Sequence, residues 1–229
     1  MKIFGLQKMT LLDFPGRVAC TVFLGGCNFR CPYCHNFELV TGEARPVMSE
    51  NELFSFLEKR HGLLDGVAIT GGEPCIEPSL MYLISKIKEM GFAVKLDTNG
   101  MFPSVLENLL KHAKPDYIAM DIKNSPDRYA ETVGLKSVDL SRIEKSINLI
   151  MNSEIEYEFR TTVIDELHSK EDFTAIGKMI NGANKYYLQP FTDRDTVPYA
   201  GFHTPTEDKI KTYLEIVRPY VTRADLRGV

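Results

Sequence analysis

The stretch Gly25-Gly26-Cys27-Asn28-Phe29-Arg30-Cys31-Pro32-Tyr33-Cys34-His35-Asn36 decides how this chain is read. It follows Arg17-Val18-Ala19-Cys20-Thr21-Val22-Phe23-Leu24, a β-branched and apolar run that predicts the first buried strand. Three cysteines within eight residues of a glycine-led loop suit a soft metal or an iron–sulfur centre better than a packed core. Three thiolates on one loop can reach three corners of a cubane and leave the fourth iron for a ligand that is not protein.

Outward from this loop the chain alternates. Ser49 and Glu52 form a capping box that starts a helix, and Gly66–Thr70 is the second strand, ending at Gly71-Gly72. A helix over Pro78–Met90 is followed by a strand over Phe92–Asp97, and a helix over Pro103–His112 by a strand over Pro115–Asp121. Helices over Asp139–Met151 and Glu171–Ile180 frame strands at Ile155–Val163 and Lys185–Gln189, and a last helix, Thr206–Val217, precedes a short strand within Tyr220–Leu226. Such a rhythm predicts a parallel sheet with helices outside. No linker or internal repeat divides it, so residues 1–229 read as one domain.

Polar residues fall at the carboxyl end of each main strand: Cys27, Gly71-Gly72-Glu73, Asp97-Thr98-Asn99, Asp121-Ile122-Lys123, Arg160 and Gln189. In a barrel these ends meet at one mouth, whereas an open sheet spreads them along a crevice. The expectation is an α/β fold, a partial and laterally open (β/α)6 TIM-like barrel.

The cysteine spacing taken alone has rivals. Cys31 to Cys34 is a dithiol C-x-x-C, Cys31 to His35 a haem-attachment pattern, and Cys27, Cys31, Cys34 and His35 a Cys₃His zinc set. Cys27 is idle in a dithiol enzyme, haem attachment calls for export, and adjacent Cys34 and His35 strain a tetrahedral ion. The N-terminus lacks the apolar stretch of a signal peptide, so a cytoplasmic protein with reduced thiols is expected. A net charge of −4 gives no support for a nucleic-acid surface, and no apolar run reaches the length of a membrane span.

C-x₃-C-x₂-C with an aromatic before its last cysteine, followed by Gly71-Gly72-Glu73-Pro74, resembles the radical S-adenosylmethionine (SAM) superfamily. Cys34-His35-Asn36, Asp97-Thr98-Asn99-Gly100 and Asp121-Ile122-Lys123 resemble the activases of glycyl radical enzymes within it. Leu12-Asp13-Phe14-Pro15-Gly16 and Glu158-Phe159-Arg160-Thr161-Thr162-Val163 look closest to the anaerobic ribonucleoside-triphosphate reductase activating proteins, which are related to the pyruvate formate-lyase activases.

The resemblance implies that Cys27, Cys31 and Cys34 hold one [4Fe-4S] cluster and that SAM chelates its open iron. It assigns Gly71, Gly72 and Glu73 to the methionyl amino end, Lys123 to the SAM carboxylate, backbone at Tyr33 and His35 to adenine, and Arg160 to the ribose neighbourhood. It places a monovalent cation beside Asp97, Thr98, Asp121 and the Ile122 backbone. It implies reductive SAM cleavage to a 5′-deoxyadenosyl radical, an electron from flavodoxin or ferredoxin, and a glycyl radical enzyme as partner, such as an anaerobic ribonucleotide reductase. A small-molecule or peptide substrate is the alternative, and a non-catalytic zinc module the reading from another class.

The chain departs from the pyruvate formate-lyase activases in two places. Thr192 stands where they carry a SAM-approaching histidine, and Phe14 replaces a glycine in a segment expected on the partner-facing side. Asp97 could instead cap its turn, Lys123 could be a surface charge, and Arg160 could pair with Glu156 or Glu158. Cys20 reads as a small buried hydrophobe, and Cys75 as a thiol near the site that binds no second cluster.

Overall fold

The computed structural model describes residues 1–228. In chain order the strands are β1 (Lys2–Ile3), β2 (Gly5–Thr10), β3 (Ala19–Leu24), β4 (Met48–Ser49), β5 (Gly66–Gly71), β6 (Ala93–Thr98), β7 (Tyr117–Asp121), β8 (Glu156–Val163), β9 (Lys185–Pro190) and β10 (Arg223–Leu226). The helices are α1 (Phe37–Thr41), α2 (Glu50–Glu58), α3 (Leu80–Glu89), α4 (Pro103–Asn108), α5 (Tyr129–Thr132), α6 (Leu140–Met151), α7 (Lys170–Met179) and α8 (Glu207–Val217).

Eight strands form one sheet in the order β10-β9-β8-β7-β6-β5-β3-β2. All neighbours from β3 to β10 are parallel, and only β2 runs antiparallel, on β3. The strands at the two ends of this order do not pair with each other, so the barrel is partial and open along one side. No helix among the described residues is long and apolar enough to cross a membrane.

Strand side chains alternate between two faces, and the register decides which set meets the helices. Cys20, Val22 and Leu24 share the convex face with Val67, Ile69, Val94, Leu96, Ile118, Met120, Phe159 and Leu188, all buried. They pack against Leu83 and Ile87 of α3, Ile143 and Ile147 of α6, Phe173 of α7 and Tyr213 of α8 in one continuous core. The concave face is polar. Lys95, Asp97, Tyr117, Asp121, Glu158 and Arg160 all lie on it, with Asp121 directly beside Arg160 in the register.

The expected capping box is present: Ser49 N–H donates to Glu52 Oε2 at 2.7 Å and Glu52 N–H to Ser49 Oγ at 3.3 Å. A second, unforeseen one, Ser169 with Asp172, starts α7. The sequence reading also missed β2 and the two-residue ribbon of β1 with β4. Two-residue strands carry no periodicity, and β2 is mostly half-buried or exposed, so no apolar pattern marks it.

One expectation is corrected. The segment through Phe14 does not face the open mouth. Thr10 pairs with Ala19 at the amino end of β3, and the Phe14 ring packs on Tyr117 at 6.2 Å between centroids. Phe14 therefore closes the floor of the barrel, at the end opposite the cysteine loop.

Candidate active site

Cys27, Cys31 and Cys34 line one cleft at the carboxyl ends of the strands, together with Tyr33, His35, Gly71, Gly72, Glu73, Asp97, Thr98, Asp121, Lys123 and Arg160. Five separate elements, the cysteine loop and the ends of β5, β6, β7 and β8, thus deliver these residues to one place, whereas Gln189 at the end of β9 does not line it. Two further expected residues stand outside the lining. Ile122 is fully buried beneath it, its carbonyl accepting the Thr161 hydroxyl at 2.7 Å. Thr192 is exposed, and only its backbone takes part.

The cysteine loop is held by the main chain. Gly26 N–H donates to the Leu39 carbonyl at 2.8 Å and Arg30 N–H to the Val133 carbonyl at 2.9 Å, so α1 and the end of α5 brace it from two sides. Arg30 also donates to the Cys27 and Phe29 carbonyls, at 2.7 Å each. Burial pushes all three thiols up, Cys31 to about 12, while the Lys123 ammonium nearby pulls each the other way. Such thiols are held protonated by desolvation until a metal takes them.

The donor set fits an iron–sulfur cluster. Cys27 Sγ accepts the Phe29 N–H at 3.4 Å and faces the Asn99 amide at 3.9 Å, the kind of N–H to sulfur contact that tunes a cluster. Among the described residues no three His, Cys, Asp or Glu side chains converge on a single metal ion. Thiolates of a cubane each meet a different iron and need no such convergence.

Gly72 joins the loop to the next strand end. Glu73 N–H donates to the Gly26 carbonyl at 2.8 Å, and a Cβ at Gly72 would stand 1.8 Å from that same oxygen. Gly26 itself has φ +82°, a conformation glycine adopts freely. Glu73 is buried and its carboxylate is largely spent on protein. Oε1 accepts the Thr98 hydroxyl at 2.7 Å and Cys75 N–H at 3.0 Å, and Oε2 accepts Asn99 N–H at 2.6 Å. A carboxylate has about four lone-pair sites, so one remains for a donor in the cleft.

An ion cluster lies deeper. Arg160 Nε donates to Asp121 Oδ1 at 2.9 Å, and its terminal nitrogens reach Asp97 Oδ2 at 3.4 Å. Lys123 Nζ meets Asp121 Oδ2 at 3.0 Å, and the Lys95 ammonium contacts Asp97 Oδ1. Burial pushes both carboxyls up, but the guanidinium and the lysines outweigh it and hold them below the usual carboxylate range. The bland alternatives fail on this geometry. Asp97 does not cap its turn, Lys123 is not a surface charge, and Arg160 pairs with aspartates while Glu158 takes Arg227. Within this cluster three cationic heads face two carboxylates, which leaves one positive charge there for an anionic ligand group, while the Glu73 carboxylate stands elsewhere in the same cleft.

Aromatic residues close the far wall. His35 stacks on Phe191 at 5.5 Å between ring centroids and meets the Thr192 carbonyl at 2.6 Å through Nε2. Tyr33 packs edge-on against Phe191 and Phe202, at 6.4 Å from each.

The sequence model for "Radical SAM superfamily" matches residues 21–176, which span the cysteine loop, Gly71 to Glu73 and the ion cluster. The chain belongs to the radical SAM superfamily.

It is an enzyme of the radical SAM type, and several of its relatives carry the names of activating enzymes. A Methanocaldococcus jannaschii protein designated a glycyl-radical enzyme activating enzyme is 30% identical over 99% of this chain and 96% of its own. The pyruvate formate-lyase-activating enzyme of Clostridium pasteurianum is 28% identical over 83% of this chain and 82% of its own. Among solved structures, Streptococcus suis SuiB bound to precursor peptide SuiA shares the fold with a TM-score of 0.70 at 15% identity, over 91% of this chain and 48% of that one.

For this radical SAM chain, sequence reasoning missed several cleft residues. Asn36 Nδ2 donates to the Gly71 carbonyl at 3.1 Å, and Asn99 Nδ2 to Asn28 Oδ1 at 2.8 Å. Both sit inside quoted motifs, so position beside a ligand was the available signal. Thr162 and Val40 also line the cleft and carried none.

Proposed function

We propose that this chain cleaves SAM reductively and passes the resulting radical to a glycine of a partner enzyme, an anaerobic ribonucleotide reductase or a similar glycyl radical enzyme. The single observation behind this reading is convergence: the three thiols, the glycine–glutamate turn and a net-positive ion cluster share one cleft. A [4Fe-4S] cluster, when bound, supplies the electron that splits the C5′–S bond of SAM into methionine and a 5′-deoxyadenosyl radical.

The chain's own part is binding, orientation and exclusion of water. Cys27, Cys31 and Cys34 would hold three irons. The remaining lone pair of Glu73, with the backbone of Gly71 and Gly72, would receive the methionyl ammonium. Lys123 offers a compact charge to the carboxylate, and Arg160, fixed by two aspartates, stands toward the ribose. Backbone at Tyr33 and His35 would meet adenine, with the His35 ring held flat on Phe191 and tied to the Thr192 carbonyl. The open side of the sheet suits entry of a peptide loop, and residues 1–229 would act as one unit. All five cysteines are free.

The test is anaerobic reconstitution with iron and sulfide, then 5′-deoxyadenosine formation with dithionite. A cluster-loaded sample that produces none sinks the reading. A glycyl radical signal in a co-incubated reductase identifies the partner class, and flavodoxin or ferredoxin in place of dithionite identifies the donor.

A further inference from the structure

Lys95 is called for neither by the strand pattern nor by the SAM contacts above. It sits mid-strand in β6 with a side chain only 2% exposed. Burying an ammonium costs several kcal/mol unless a counter-charge meets it. The register provides both the space and the charge. Lys95 and Asp97 share the concave face, where β5 sets the small Ala68 on one side of Lys95, β7 sets Tyr117 on its other side, and Ala119 lies beside Asp97. The lysine stem can lie along this face and end on Asp97 Oδ1.

The remaining acid oxygens are accounted for one by one. Asp97 Oδ2 and Asp121 Oδ1 both go to Arg160, and Asp121 Oδ2 to Lys123. The neutral oxygens around them already accept protein donors as well: the Thr98 hydroxyl accepts the Gly100 N–H at 3.1 Å while donating to Glu73, and the Ile122 carbonyl accepts from Thr161. A free monovalent cation needs oxygen ligands whose charge is not already balanced. Three fixed cationic heads against two carboxylates would repel a fourth. The residues present therefore do not fit the monovalent cation that the family resemblance implies at this position.

We propose that the Lys95 ammonium is a tethered replacement for a free monovalent cation. With Arg160 it neutralises Asp97 and Asp121, and so leaves Lys123 available to an incoming carboxylate. Lys95 is a positioning residue, acting through Asp97 and Arg160 without touching the ligand. The inference rests on the reading of this cleft as a SAM site.

The test measures SAM affinity of the cluster-loaded protein by anaerobic equilibrium dialysis, in potassium chloride and in tetramethylammonium chloride at equal ionic strength. The unaltered chain should bind SAM equally in both, within about twofold, because its cation is covalent. Lys95→Met keeps the stem and removes the charge. It should bind about tenfold more weakly in tetramethylammonium, about 1.4 kcal/mol, and recover as potassium is added. A merely structural lysine would show no such rescue.

A second readout needs no SAM: potassium should raise the melting temperature of Lys95→Met and leave that of the unaltered chain where it was. A tenfold loss of SAM affinity when potassium is withdrawn from the unaltered chain overturns the inference, even if the variant does not fold. A folded variant that ignores potassium in both assays overturns it too. Absence of SAM binding in either salt sinks the SAM reading instead, and the melting comparison then decides the role of Lys95 alone.

Discussion

Glu73 and Asn99 are locked together: the Glu73 Oε2 atom accepts the Asn99 backbone N–H at 2.6 Å. The bond spans two strand ends, since Glu73 follows β5 and Asn99 follows β6. With the Thr98 hydroxyl and Cys75 N–H on the other oxygen, the glutamate is a strut that fixes the turn facing Cys27. A role in binding and a role in holding the site rigid thus fall on one side chain.

Glu73→Gln separates these roles. Every protein partner of the carboxylate is a donor, so either orientation of the amide sets an N–H against another donor. A buried unsatisfied donor costs about 2 kcal/mol. Urea unfolding of the metal-free variant should show a loss of that order, and SAM affinity of the loaded protein should fall with it. Stability within about 0.5 kcal/mol of the unaltered chain would contradict the strut.

Gly72→Ala tests the join between loop and sheet. The added Cβ would meet the Gly26 carbonyl at 1.8 Å, so one backbone segment must move. Overpacking of this kind costs about 3 kcal/mol or more. The variant should unfold at lower urea and take up less iron on reconstitution. Normal iron content in a stable variant would show that the cysteine loop does not depend on this contact.

The cluster assignment divides the five cysteines. Cys31→Ala should lose both the roughly four irons per chain expected of a cubane and the accompanying visible absorbance. Cys75→Ala should keep them, because the Cys75 thiol is buried against Thr98, with Sγ 3.5 Å from its hydroxyl. Iron and sulfide analysis of anaerobically reconstituted samples checks both. Iron lost equally from the two variants would void the three-ligand assignment.

Sequence patterning reaches as far as its signals do. Alternation and caps are local, and they were enough to mark the parallel strands and the helix starts at Ser49 and Thr206. The cleft was legible because its residues crowd the strand ends. Lys95 was not: period two puts it on the same face as Asp97, but nothing local says that this face is polar inside. The partners of Arg160 were misjudged in one alternative for the same reason. Its near neighbours in sequence are Glu156 and Glu158, yet the parallel register brings Asp121 alongside it and sends Glu158 to Arg227. Thr192 was read as a side chain, whereas the fold uses its carbonyl.

That last glutamate gives the barrel floor a pH signature. Glu158 is fully buried, with both oxygens on the Arg227 guanidinium, the Nη2 contact at 2.7 Å, and the Tyr117 hydroxyl donating at 2.7 Å. Burial pushes its carboxyl up, but the Arg227 hydrogen bond and the Arg160 charge outweigh it, so the folded value lies below the ordinary one. The stability it contributes is therefore fully present above the unfolded value of about 4.3 and is lost as pH falls through the folded one. Arg227→Met leaves a buried, unpaired carboxylate and should cost about 3 kcal/mol at neutral pH. Without its partner Glu158 protonates more readily, so the deficit against the unaltered chain should narrow as the pH is lowered toward 4. Chemical denaturation of both proteins across this window checks it. A deficit that is constant with pH would mean that Arg227 contributes packing over the Tyr187 ring, 3.8 Å away, and not charge.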